Sequence, residues 1–256
     1  MEILLTSIVL ALGFMTLVFF LATSIRDNSI VDIFYGLAFI VVCWGAWLYH
    51  GADHWRALLL LVLLTIWGVR LAIHLLLRKK GHGEDFRYRK FREDWGEHVV
   101  VKSFFQIFWL QGMVVVAISA PILITIGSPG GGSAVLDWIG AALWLTGFLI
   151  ESLADLQLLR FISNSANKGR IMRYGIWRFS RHPNYFGEAV LWWGIFLIGL
   201  GSPLGIWGII SPVLISFLLL RVSGIPMLEK KWEGNPEYEE YKEKTNAFVP
   251  WFPRAG

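Results

Sequence analysis

The chain has 256 residues, of which 55% are hydrophobic and only 16% are charged. Soluble domains average about 45–50% apolar and about 25% charged residues, so this composition excludes an ordinary soluble domain and indicates a membrane protein. The formal net charge of +4 does not indicate a nucleic-acid partner, because the basic residues are concentrated in a few loops between apolar segments. The single cysteine, Cys43, allows no internal disulfide.

Seven segments are apolar enough to be membrane-spanning helices, which need about 20 residues each. They are 2–24, 29–49, 56–77, 104–127, 134–154, 185–201 and 205–228. The first segment lacks the basic start and the cleavage site of a signal peptide, so we expect a retained helix. These segments predict an all-α, polytopic membrane bundle that forms a single domain over residues 1–256.

Lysine and arginine predict the orientation of the bundle. Eight of them lie in residues 78–102 and six in 155–184, whereas the loops near 50–55, 128–133 and 202–204 contain none. Basic loops remain on the cytoplasmic side of the membrane. With seven spans, this bias predicts an amino terminus outside and a carboxyl terminus in the cytoplasm.

Ionisable residues within predicted spans are candidates for function, because a charge inside a bilayer is costly. They are Asp32, Arg70, His74, Glu151, Asp155, Glu188 and Arg221. All fall in the predicted cytoplasmic half, and the pairs 70/74 and 151/155 each share a helix face through their i,i+4 spacing. The pattern predicts a polar cavity open to the cytoplasm, although charges that snorkel from helix ends would give the same pattern.

Two neighbouring segments extend this predicted cavity. Residues 156–180 are basic, amphipathic and too polar to span, so we expect a helix at the inner membrane surface, either an anchor or the floor of a binding site. The motif "RHPNYFGE" at 181–188 then opens the short sixth span, where Pro183 and Glu188 would also suit a simple helix start. We expect no metal site, because the chain has no paired cysteines.

Several motifs together resemble a known family. They are "SIVDIFYG" at 29–36, "WGVRLAIH" at 67–74, "ESLADLQ" at 151–157, "RHPNYFGE" at 181–188 and "EYEEYKEKTNAFVPWF" at 237–252. The chain resembles the bacterial steroid 5-alpha-reductase-like membrane proteins (DUF1295) over nearly its whole length. It is more distantly similar to steroid 5-alpha-reductases and to the isoprenylcysteine and phospholipid methyltransferases. The resemblance implies a multi-pass protein of a bacterial cytoplasmic membrane that binds NADPH at its cytoplasmic side.

The resemblance and the charge pattern together predict an NADPH site formed mainly by 67–80, 151–190 and 221–253. The predicted cofactor-binding residues are Arg70, His74, Glu151, Asp155, Arg170, Tyr174, Arg181, His182, Asn184, Tyr185 and Glu188. Arginines suit phosphates, and an asparagine side chain offers both a donor and an acceptor to the nicotinamide amide. This chain has Glu151 where the family has Asn, and Gly169 where it has Tyr, with Tyr174 as the substitute that we expect.

The resemblance also implies catalytic positions, and these depart from the family pattern. Asp32 stands where the family has a catalytic Glu, and Trp67 stands where it has a catalytic Tyr. We expect Asp32, protonated by burial, to donate a hydrogen bond to a substrate carbonyl with help from Trp67 or Tyr35.

Three functions remain open from the sequence. The first is NADPH-dependent reduction of a carbon–carbon double bond conjugated to a carbonyl, in a steroid-like or isoprenoid substrate. The second is an S-adenosylmethionine-dependent methyltransferase that acts on a lipid or a prenylcysteine. The third is a transporter or lipid-binding scaffold. In each case we expect a lipophilic small molecule and membrane lipids as partners, and neither nucleic acid nor a metal.

Overall fold

The structure is a computed structural model of the chain, and it describes residues 2–81 and 83–254, which form helices and loops without a β-strand. The α-helices are α1 (Glu2–Ile25), α2 (Ile30–His50), α3 (Trp55–Lys79), α4 (Phe86–Trp95), α5 (Val99–Ser103), α6 (Leu110–Ile118), α7 (Ala120–Ile126), α8 (Ala134–Ser163), α9 (Pro183–Leu200), α10 (Ile210–Phe217), α11 (Ile225–Lys230) and α12 (Pro236–Lys244). Short 3₁₀ turns occupy Gly96–His98, Ser165–Asn167, Gly175–Arg178 and Gly205–Ile209, and π-helical turns occupy Phe104–Trp109 and Leu218–Val222.

The described part of the chain contains 6 helical segments that are long and apolar enough to cross a membrane. They are Glu2–Ile25, Ile30–His50, Trp55–Lys79, Phe86–Ile118, Ala134–Ser163 and Gly205–Lys230. The predicted all-α polytopic fold is therefore confirmed. The predicted sixth span is helix α9, which is continuous over 18 residues but more polar, because Asn184 and Glu188 lie in its first turns. The count of seven spans and the positions of the termini stay predictions.

The local structure of two predicted spans differs from a single uniform helix, and for the fifth span the expectation of a separate surface helix was wrong. Helix α8 continues to Ser163, and its 30 residues extend for about 45 Å, well beyond the roughly 30 Å of a hydrocarbon core. Residues 156–163 therefore extend the fifth span instead of starting a surface helix, and only 3₁₀ turns follow before α9. The predicted span 104–127 is interrupted at Ser119, where α6 ends and α7 begins with Pro121 in its first turn.

The chain divides into two compact units. The first comprises Met1–Ser133 and Gly199–Ile210, and the second comprises Ala134–Ile198 and Ser211–Gly256. In the first unit, α2 and α3 approach each other closely at two glycines. A Cβ atom on Gly36 would lie 2.6 Å from the carbonyl oxygen of Gly68. Small residues at such contacts allow helix backbones to pack tightly within a membrane.

In the second unit, α8 and α9 are in close contact through two pairs of glycines. A Cβ atom on Gly147 would lie 2.5 Å from the carbonyl oxygen of Gly187, and one on Gly140 would lie 2.7 Å from that of Gly194. Both helices have the same seven-residue spacing, and the order of the pairs shows that the helices run antiparallel. The contact leaves no room for a side chain at these positions.

We expect Gly147→Ala to destabilise the second unit, because the new methyl group must push α9 away. Overpacking of this kind costs about 1–3 kcal/mol, which lowers the unfolding midpoint of a chain of this size by roughly 2–10 °C. Tryptophan fluorescence during heating of the detergent-purified protein measures this shift. The matched control is Gly13→Ala in α1, where the added carbon would meet no described atom within 4 Å beyond the local backbone of its own helix. Equal midpoints for the two variants would contradict the prediction.

Candidate functional site

The close contact of α8 and α9 brings four of the predicted cofactor-binding residues to one region. Glu151 and Asp155 follow Gly147 by one and two turns of α8 and are 2% and 5% exposed. Asn184 and Glu188 lie in the first two turns of α9, on either side of Gly187. Two of these residues form a hydrogen bond, in which the Asn184 amide nitrogen Nδ2 donates to Asp155 Oδ1 at 3.3 Å.

Asn184 leaves one polar atom unused. Its carbonyl oxygen Oδ1 is buried and has no hydrogen-bond partner among the described residues. A buried acceptor without a partner is unfavourable, and its presence in a native structure points to a bound molecule or water. With Asp155 as a neighbouring acceptor, the arrangement can bind a ligand that presents N–H and O–H donors.

Arg181, at the start of the same motif, binds the C-terminal part of the second unit. Its Nε and Nη2 contact Glu229 Oε1 at 2.9 and 2.8 Å. Its Nη1 donates to the carbonyl oxygens of Thr245 at 2.6 Å and Lys242 at 3.3 Å. These contacts give Arg181 a structural role, and its predicted contact with a cofactor phosphate stays a prediction.

His182 takes part in the same attachment. Its Nε2 lies 3.2 Å from Glu229 Oε1, and its ring stacks on Tyr185 with the centroids 5.6 Å apart. Its backbone N–H donates to Ser180 Oγ at 3.1 Å. His182 and Tyr185 are thus part of the packing at the start of α9.

The backbone before α9 completes this attachment. The hydroxyl of Tyr241 donates to the carbonyl oxygens of Trp177 and Ser180. Ser180 Oγ donates to the carbonyl oxygen of Phe248 at 2.8 Å, and Arg181 N–H donates to that of Asn246 at 2.9 Å. The motif therefore joins the residues just before α9 to the C-terminal segment, which is about 50 residues or more away in sequence.

Burial lowers the pKa of His182 below its ordinary value of 6.5, although the hydrogen bond and charge of Glu229 act in the opposite direction. The unfolded chain therefore binds a proton near pH 6.5 that the folded chain binds only at lower pH. The free energy of unfolding thus falls as the pH drops below about 6.5.

We expect the unfolding midpoint of the wild-type protein to fall more between about pH 7.5 and about pH 5.5 than that of His182→Gln. Glutamine retains an N–H donor for Glu229 but cannot be protonated. Thermal unfolding at both pH values measures the difference. The exposed variant His98→Gln should keep the wild-type pH response, and an unchanged response in His182→Gln would contradict the prediction.

Two further predicted cofactor residues lie in the loop between α8 and α9. Arg170 is exposed after the Ser165–Asn167 turn, and Tyr174 is 61% exposed with its ring 6.4 Å from that of Phe161. Among the described contacts, none joins either residue to Asp155 or Asn184. Their roles stay predictions.

The predicted catalytic residues lie in the first unit. Asp32 accepts two hydrogen bonds, one from Arg87 Nη2 to Oδ2 at 2.7 Å and one from the Tyr88 hydroxyl to Oδ1 at 2.6 Å. Arg87 is also bonded to Asp85, which caps the start of α4. Both carboxylate oxygens of Asp32 therefore act as acceptors, although we predicted from the sequence that Asp32 is a donor.

Arg87 and Tyr88 were not among the predicted site residues. They lie in the basic stretch 87–92, whose charge indicates mainly topology and leaves open the attraction of an anionic lipid or a phosphorylated ligand. Tyr88, an aromatic residue among basic ones, was the feature of the sequence that could have indicated a site here. Glu229 was missed for a similar reason, because it lies just beyond the last predicted span, in a segment of alternating charge.

Tyr35 and Trp67 both contact the ring of Phe39. Both rings pack edge-on against Phe39, with centroids 5.0 and 5.5 Å away. Each residue immediately precedes one of the contacting glycines, Gly36 and Gly68, so the close contact of α2 and α3 brings them together. Trp67 is fully buried.

Arg70 and His74 lie on the same side of α3 as Trp67, because they follow it by three and seven residues. His74 is buried, and Arg70 is partly exposed. They belong to the first unit, whereas the cluster around Asp155 belongs to the second.

These features define a polytopic α-helical membrane protein in which buried carboxylates of α8 lie next to the polar start of α9. Residues 18–245 match DUF1295, a family described as proteins of unknown function. The chain belongs to the DUF1295 family, as its motifs predicted.

Two curated relatives match parts of the chain. An uncharacterized protein of Schizosaccharomyces pombe is 25% identical over 228 residues, covering 76% of this chain and 63% of the relative. The human 3-oxo-5-alpha-steroid 4-dehydrogenase 1 is 29% identical over 114 residues, covering 44% of this chain and 40% of the relative. The chain thus spans less than two thirds of either relative. No solved structure matches. The distant similarity to a steroid dehydrogenase favours an oxidoreductase.

Proposed function

We propose that this protein is a membrane reductase that uses NADPH to saturate a carbon–carbon double bond conjugated to a carbonyl in a lipophilic substrate. The name of the human relative supports this proposal. A 4-dehydrogenase acting on a 3-oxo-5-alpha-steroid removes hydrogen next to a carbonyl, and the reverse reaction is the reduction of an enone. When bound, NADPH supplies the hydride for the β-carbon and is oxidised to NADP⁺, while a proton is added at the α-carbon.

The observation that carries the proposal is the bonded pair of Asn184 and Asp155. The buried Asn184 Oδ1 can accept from the carboxamide N–H of nicotinamide, and the Asp155 carboxylate can accept from ribose hydroxyls. The exposed Arg170 supplies a cation for the phosphates. The residues present therefore fit the polar parts of a nicotinamide nucleotide.

The substrate roles fall to the first unit. An enone gains negative charge on its oxygen as hydride is added, and a donor in a dry site stabilises that charge. We assign this donor to Tyr35 or Trp67, which carry O–H and N–H groups in the close α2–α3 contact. Asp32, which accepts from Arg87 and Tyr88, acts as a positioning residue in the same helix as Tyr35.

Nucleotide binding by the detergent-purified protein tests the cofactor. We expect titration calorimetry to show saturable NADPH binding that weakens at least tenfold in Asn184→Leu and in Asp155→Asn, since each loses hydrogen bonds to a buried ligand. Glu239→Gln removes a half-exposed carboxylate from α12, and the variant should bind as the wild type does. NADH and S-adenosylmethionine are titrated in parallel. Binding of S-adenosylmethionine without NADPH would overturn the proposal and favour the methyltransferase.

Turnover tests the substrate roles separately. With a 3-oxo-4-ene steroid in detergent as the probe, we expect Asp32→Ala to abolish NADPH oxidation while leaving NADPH affinity unchanged. The variant loses the acceptor for Arg87 and Tyr88, whereas the Asn184 pair lies on other helices. Tyr49→Phe is the control, because Tyr49 is 71% exposed at the far end of α2. Full activity in Asp32→Ala would remove Asp32 from the mechanism.

A further inference from the structure

A cavity of about 190 Å³ lies in the first unit, where the end of α1 meets α4 and α5. Its polar side includes Arg26, Arg92, Asn28 and Ser103. Its apolar side includes Phe19, Val99 and Val100. We propose that this cavity binds the phosphodiester headgroup of an anionic glycerophospholipid, with the start of the acyl chains against the apolar side.

The charges of the cavity match a phosphodiester. Arg92 is paired with Glu84, whose carboxylate accepts from Arg92 Nε at 3.1 Å and from Nη2 at 3.0 Å. Arg26 is exposed, and no ion pair of its side chain occurs among the described residues. The cavity therefore has one uncompensated positive charge, which suits the single negative charge of a phosphodiester better than the double charge of a free phosphate monoester.

The backbone conformation at Arg26 supports a role for its side chain in binding the phosphodiester. Arg26 has a φ of 55°, in the left-handed region that glycine usually occupies after a helix. The end of α1 has the corresponding pattern of bonds, from Arg26 N–H to the Thr23 carbonyl at 3.2 Å and from Asp27 N–H to the Ala22 carbonyl at 2.9 Å. The chain thus has a cationic side chain where glycine would cost less strain.

The surroundings of Arg26 are already ordered. Asn28 Nδ2 donates to Ser103 Oγ at 2.8 Å, and Asn28 N–H donates to Glu84 at 2.8 Å. Lys79 is paired with Asp27 at 2.6 Å, so this lysine is neutralised within the protein. A binding site that is ordered before the ligand arrives avoids much of the entropic cost of binding.

The position of the cavity fits a lipid. Phe19 belongs to a membrane-spanning segment, and Val100, which is 51% exposed, belongs to another. The polar residues lie at the end of α1, which our topology predicts to be cytoplasmic. Basic pockets between helices on this side are known to bind anionic headgroups. A water-soluble phosphate would make no use of the apolar side.

The test compares the unfolding midpoint of the purified protein in detergent with and without phosphatidylglycerol. A ligand that binds the folded state raises the midpoint with concentration. We expect phosphatidylglycerol to raise the midpoint of the wild type, and phosphatidylcholine and inorganic phosphate at equal concentrations to raise it by less than half as much. An equal effect of either compound would overturn the proposal of an anionic lipid site.

Two variants locate the site. Arg26→Gly should abolish at least half of the lipid-induced shift while the lipid-free midpoint stays equal or rises, because glycine relieves the backbone strain. Val100→Glu places a carboxylate in the cavity and should have the same effect on the lipid response. Arg89→Gln removes an exposed cation from α4, outside the cavity, and should respond as the wild type does. A full lipid response in Arg26→Gly would overturn the proposal.

Discussion

The close approach of α8 and α9 is the contact on which the polar chemistry of the second unit depends. At Gly147 and Gly187 the two backbones are so close that a Cβ atom on Gly147 would lie 2.5 Å from the carbonyl oxygen of Gly187. This proximity allows the short side chains of Asp155 and Asn184 to bond across the helices. Larger residues would separate the helices by several ångströms, and buried carboxylates without partners would then be strongly unfavourable in an apolar environment.

The order of the start of α9 also depends on the attachment of the C-terminal segment to Arg181. Arg181 contacts one carboxylate and two backbone carbonyls of this segment, so a single guanidinium orders both the start of α9 and the chain after α11. Arginine suits this role because its planar group presents several donors in fixed directions. The region before α9 is therefore ordered in part by residues that are distant in sequence.

Much of the fold could be predicted because long apolar segments have few alternatives in a membrane. The predicted spans 29–49 and 56–77 lie within one or two residues of α2 and α3 at each end. The end of α8 could not be found this way, because Gln157 and Arg160 interrupt the apolar pattern while the helix continues to Ser163. The pairings of Arg181 with Glu229 and of Asp32 with Tyr88 were also missed, since they join residues 48 and 56 positions apart.

The seven-residue spacing of the glycines has a consequence for the register of α8 and α9. A repeat of seven matches a left-handed supercoil, and a slide of two turns, about 10.5 Å, would bring one glycine of each helix together again. In that slipped register Gly187 would meet Gly140, and Asn184 would face the turn around Phe148 instead of Asp155. The slipped alignment keeps one of the two glycine pairs and loses the polar pair, so the polar pair adds to the preference for the observed alignment. A hydrogen bond between an amide and a carboxylate can therefore specify helix position here, as a buried asparagine does in a coiled coil.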